Sequence, residues 1–85
     1  MDIETLLQEY VAKNLLFSDN EFEYNNDDSF LQEGIVDSTG VLELVLFVEE
    51  NYGVTVDDQE ITRENFDSIN KLANFIRRKI AAAEQ

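Results

Sequence analysis

Apolar residues recur at helical spacing in three stretches of the chain. Ile3, Leu6, Leu7, Tyr10 and Val11 form one stripe, and Asp2 stands where a cap is favoured. The pattern predicts a first helix over residues 2–17, ending near Phe17 and Ser18. The strongest helical segment is 38–52, STGVLELVLFVEENY, where Val41, Leu44, Val45, Val48 and Tyr52 share a stripe. Gly53 follows it, at the position where a left-handed C-terminal cap is wanted. Leu42, Leu46 and Phe47 fall outside that stripe. A helix apolar on more than one face needs a second cover or offers a patch to a partner. A closing helix capped by Asp67 or Ser68 carries Ile69, Leu72, Ala73, Ile76 and Ile80 at the same spacing. Just before it, Thr62 is placed to cap a short helical turn over 63–66.

The intervening segments are polar. Residues 18–37, SDNEFEYNNDDSFLQEGIVD, hold no sustained period; twenty residues is long for a structureless connection, and so points to a functional loop. Ser18 with Glu21 fits a capping box, and Phe30, Leu31, Ile35 and Val36 are expected to pin the later half to the core. VTVDD (54–58) alternates like a strand but has nothing to pair with. It is read as an extended loop burying Val54 or Val56. The expected fold is all-α, one domain over 1–85: a small bundle of three main helices plus one short helix, with a long loop between the first and second.

Charge narrows the function. Nineteen acids against six bases give a formal net charge of -13, which disfavours nucleic acid and anionic membrane surfaces. Thirteen acids and no base lie between Lys13 and Arg63. That stretch is either a solvated face or a surface for basic partners. With no Cys and no His, a disulfide framework, a thiolate metal site, a Ser-His-Asp triad and a zinc helix are all excluded. No metal site is expected. Asp19-x-Glu21-x-Glu23 resembles the start of a calcium loop, but Tyr24 and Phe30 occupy the places of its Gly and its bidentate Glu. No basic, apolar leader or membrane-length run occurs, so the chain is expected to be cytoplasmic; it is also expected to be a monomer. It is not expected to be an enzyme, because no acid–base pair stands out from a solvated face.

Ser38 is the residue that stands apart. It follows Gly34-Ile35-Val36-Asp37 and opens the most apolar helix. Ser or Asp there serves as a plain N-cap; alternatively, a hydroxyl at a helix N-terminus is well placed to carry a phosphoester.

Gly34-Ile35-Val36-Asp37-Ser38, followed by Val41-Leu42-Glu43-Leu44, Glu49-Glu50, Tyr52-Gly53 and the Phe66-Asp67-Ser68-Ile69 run, resembles the acyl carrier protein family over nearly the whole chain. The resemblance implies a non-catalytic carrier with 4'-phosphopantetheine attached covalently to Ser38, holding acyl or aminoacyl groups as thioesters. It implies a phosphopantetheinyl transferase as one partner, reading Asp37, and adenylating ligases or synthase enzymes as others, docking through basic surfaces. By the same analogy Thr39, Leu42, Glu43, Leu46, Glu49 and Glu50 form the partner-facing side of the second helix. Phe30, Val48, Val56, Ile61 and Phe66 would line an acyl pocket.

One departure refines the expectation. The family usually has a large apolar residue after the serine, where this chain has Thr39 and then Gly40. A dedicated carrier for a specialised pathway, or an aminoacyl carrier, therefore fits better than the housekeeping fatty-acid type. The rival is an acidic helical adaptor or charge mimic without a prosthetic group. It accounts for the charge and gives no reason for Asp37-Ser38 at a helix start.

Overall fold

A computed structural model describes residues 2–17 and 22–83. Four α-helices run in the order α1 (Ile3–Tyr10), α2 (Ser38–Tyr52), α3 (Arg63–Phe66) and α4 (Ile69–Ala83), and no strand occurs among the described residues. The all-α bundle expected from periodicity is the fold observed. Its core gathers Leu7 and Val11 from the first helical segment, Leu44 and Val48 from α2, and Ile69, Leu72, Ala73 and Ile76 from α4. Phe30, Ile35 and Val36 from the long loop join them, as do Val54, Val56, Phe66 and Phe75. Burying the larger of these side chains stabilises the fold by roughly 1.5–3 kcal/mol each.

The first helix departs from its expected form. Asp2 Oδ1 accepts from the Thr5 N–H at 2.7 Å, which opens α1 as the sequence suggests. From Val11 to Leu15, however, the chain is π-helical, and the Leu16 N–H reaches back five residues to the Val11 carbonyl at 2.9 Å. The wider turn keeps Leu15 and Leu16, neighbours in sequence, both packed against the core. Phe17 then exits in the left-handed region at φ 53 and is 84% exposed.

Helix α2 matches its expected bounds, and Gly53 closes it at φ 66. Both Val54 and Val56 are buried in the extended segment that follows. A 3-10 turn over Asp58–Glu60 leads to α3. Thr62 holds the N-cap position of α3 without a capping side-chain hydrogen bond. Of the two candidate caps for α4, Ser68 serves: its Oγ accepts from the Lys71 N–H at 3.1 Å. Lys79 Nζ donates to Glu60 Oε1 at 2.9 Å and Arg77 Nη2 to Glu4 Oε1 at 2.6 Å, tying α4 to the 3-10 turn and to α1.

The long loop is ordered by distant partners rather than by a period of its own. The Phe30 N–H donates to the Asp67 carbonyl at 2.7 Å, and the Asn70 N–H to the Asn26 carbonyl at 3.0 Å. Gln8 Nε2 donates to Asn26 Oδ1 at 2.6 Å. Residues 30–34 form a turn in which Ser29 Oγ accepts from the Gln32 N–H. The proposed capping box of Ser18 and Glu21, and Asp19 of the calcium-like run, lie outside the described residues.

Candidate functional site

Helix α2 begins because Asp37 caps it: Asp37 Oδ1 accepts from the Gly40 N–H at 2.8 Å, with Asp37 itself extended at φ -99. The choice between Asp37 and Ser38 as cap is thereby decided for Asp37. Ser38 becomes the first helical residue, exposed, with its hydroxyl released from capping duty. Gly40 is buried, and a Cβ there would meet Val36 Cγ1 at 2.8 Å. The missing side chain lets the loop close onto the head of the helix directly behind the serine.

A groove of about 500 Å³ opens beside Ser38. Its apolar walls come from Phe30, Leu31, Val36, Val41, Leu42, Ile61 and Phe66, and its polar lining from Asp37, Ser38, Thr62, Arg63 and Asp67. Of the five residues expected to line a pocket, Phe30, Ile61 and Phe66 do so. Val48 and Val56 are not among the lining residues and belong to the core cluster.

The groove wall is held by Asp67, whose role periodicity did not reveal. Its Oδ2 accepts from Ser29 Oγ at 2.6 Å and its Oδ1 from the Leu31 N–H at 3.1 Å. Arg63 Nη2 lies 3.5 Å from Oδ2, with the Arg63 side chain 65% exposed. Burial by itself raises the Asp67 carboxyl, but the hydrogen bonds from Ser29 and Leu31, with the Arg63 charge, outweigh it and hold the group below its ordinary value. The only sequence signal for this residue was its place in the Phe66-Asp67-Ser68-Ile69 run, where it also competed with Ser68 as a cap.

Along α2, Leu42 and Leu46 are 59% and 57% exposed, although each is a large aliphatic side chain. Thr39, Glu43 and Glu50 are exposed with them. Glu49 is half-buried, and its Oε2 accepts from the Val56 N–H at 2.9 Å. The acidic field of this helix is felt by Tyr10: burial first, then the Glu43 and Glu50 carboxylates, push its phenol above the ordinary value.

The fold and site together define a small helical domain that presents an exposed serine at the head of a capped helix, beside an apolar groove. A covalent arm starting at Ser38 fits this geometry, since Ser38 is exposed and lines the groove. The sequence profile of the family described as Phosphopantetheine attachment site matches residues 5–76, and the chain belongs to that family. It is similar to the D-alanyl carrier protein of Bacillus velezensis, with 34% identity over 50 residues, 59% of this chain and 64% of the relative. The aligned stretch is thus less than two thirds of that relative's length. It is also similar to the D-alanyl carrier proteins of Lactobacillus delbrueckii subsp. bulgaricus, 26% identical over 92% of this chain and 94% of the relative, and of Streptococcus suis, 29% identical over 89% and 92%.

Proposed function

We propose that the chain is a non-catalytic carrier whose Ser38 bears 4'-phosphopantetheine and which delivers a small aminoacyl group, D-alanine being the leading cargo, to partner enzymes. One observation carries this: Ser38 stands exposed at the head of α2 while its neighbour Asp37 takes the capping role. The D-alanyl carrier relatives favour an aminoacyl over a fatty-acyl cargo. When bound, the prosthetic group supplies a thiol-ended flexible arm on which the cargo is held as a thioester. Tethering raises the effective concentration of that cargo at a docked enzyme without requiring tight binding of free substrate.

In the attachment step, Ser38 Oγ forms a bond to the pantetheine-bearing phosphorus of coenzyme A as the pyrophosphate P–O bond breaks. Adenosine 3',5'-bisphosphate leaves, and the hydroxyl proton passes to the transferase or to solvent. Asp37 acts by fixing the helix end and by presenting its carboxylate to the transferase.

Thr39, Leu42, Glu43, Leu46 and Glu50 form the docking face for the transferase and the adenylating ligase, through basic patches that carry apolar side chains. An exposed acidic rim steers encounter and the aliphatic pair supplies contact area. Glu49 braces the segment around Val56 from within the same helix. The chain acts as a cytoplasmic monomer, and among the described residues no helix is long and apolar enough to cross a membrane.

The test combines the chain with a phosphopantetheinyl transferase and coenzyme A, followed by intact-mass and peptide analysis. One arm on Ser38 is the expected result; an unchanged mass would instead favour the prosthetic-group-free adaptor. Offering the arm-bearing chain a panel of D- and L-amino acids and fatty acids with an adenylating ligase and ATP then identifies the cargo. Equal thioester formation with acyl and aminoacyl substrates would count against the D-alanine assignment.

A further inference from the structure

Resting on Ser38 as the attachment point, we infer that Arg63 is a positioning residue for the arm: its guanidinium holds the phosphodiester formed on Ser38 and steers the arm into the adjacent groove. Ser38 and Arg63 line the same groove, and among the described residues Arg63 is the only cation in that lining. The other charged groups there, Asp37 and Asp67, are acids. A phosphodiester placed at Ser38 therefore enters a negative surround on a chain of net charge -13, where a cation lining the same groove bears on its position. Arginine suits the task, because its planar fork matches two non-bridging phosphate oxygens.

Arg63 is also available. Its contact to Asp67 is long, at 3.5 Å, and its side chain is 65% exposed. Asp67 has closer partners in Ser29 and Leu31. Moving the guanidinium from the carboxylate to the phosphodiester leaves both of those hydrogen bonds in place. The groove wall thus stays fixed while the cation turns toward the arm.

The experiment uses the wild-type chain and its Arg63→Gln and Arg63→Lys variants, each first shown by mass to carry one arm on Ser38. The readouts are the 31P resonance of the phosphodiester and, in the wild type, the Arg63 side-chain 15N resonance before and after attachment. Attachment should move the Arg63 resonance. The wild-type 31P line should be broadened and shifted from that of free 4'-phosphopantetheine methyl diester, the broadening should be lost in Arg63→Gln, and Arg63→Lys should retain part of it. An unchanged Leu31 amide resonance in Arg63→Gln shows that the wall is intact. Identical 31P lines in the wild type and Arg63→Gln, with an Arg63 resonance that ignores attachment, overturn the inference alone. Absence of the arm from Ser38 overturns the underlying carrier assignment instead.

Discussion

Replacing Asp67 should weaken the fold in a manner that depends on pH. In Asp67→Ala the Ser29 hydroxyl and the Leu31 N–H lose their carboxylate acceptor, at 2.6 and 3.1 Å respectively. Hydrogen bonds to charged groups contribute about 1.5–3 kcal/mol each where they are shielded from water. Leu31 is largely exposed, so water recovers part of its loss, and a total near 2–3 kcal/mol is expected on that scale. For a domain of this size each kcal/mol shifts Tm by roughly 4–8 °C, so the change is readily measured by urea or thermal unfolding followed by far-UV circular dichroism. Asp67→Asn retains the shape and one acceptor and should lose about half as much.

The sign with pH follows from the depressed Asp67 carboxyl. The unfolded group titrates near its ordinary value, so the native contribution is complete above that value and disappears as pH falls through the lower folded one. The stability gap between wild type and Asp67→Asn should therefore be full at neutral pH and close in strong acid. Protonation of the other carboxylates affects both proteins alike and cancels in the difference. A gap that stays constant with pH, or an Asp67→Ala loss under about 0.5 kcal/mol, would refute the assignment of Asp67 as the latch between loop and helix.

Other substitutions separate presentation of the serine from stability. Ser38→Ala should abolish arm attachment, read by intact mass, while leaving stability within about 0.5 kcal/mol, because Ser38 does not cap. Asp37→Ala should lose about 1 kcal/mol of stability through the missing cap, measured by urea unfolding. Gly40→Ala gains helix propensity worth about 1 kcal/mol but drives a methyl to 2.8 Å from Val36 Cγ1. A net loss of about 1 kcal/mol and slower arm attachment are expected, since overpacking typically costs about 1–3 kcal/mol. Glu43→Lys and Glu50→Lys should slow attachment with little change in Tm. Glu49→Lys should instead lower Tm, because it removes the acceptor of the Val56 N–H; equal Tm losses for all three would contradict this division of α2.

Features encoded locally were legible in the sequence. The bounds of α2 followed from its stripe and from Gly53, and the special position of Ser38 from its place before the most apolar run. What stayed hidden depended on distance or on fine geometry. Aspartate and serine at adjacent positions are both good caps, and only the backbone showed Asp37 to be the one used. The π-helical turn at Val11–Leu15 leaves the apolar spacing helix-like, so periodicity did not register it. The order of the long loop rests on hydrogen bonds to residues near Asp67, almost forty positions away in sequence. Val48 and Val56 looked equivalent to Phe66 as pocket residues, and all three are buried in the core, yet only Phe66 also borders the groove.

The ion pair between Glu4 and Arg77, with α1 lying against α4, bears on the timing of biosynthesis. Because α4 contributes five buried side chains, Ile69, Leu72, Ala73, Phe75 and Ile76, a nascent chain still lacking that helix has no closed interior. Such non-local closure delays folding until the late segment has emerged. On the carrier function proposed above, a transferase that requires the finished shape of Asp37 and Ser38 would therefore meet its target only after translation has passed α4.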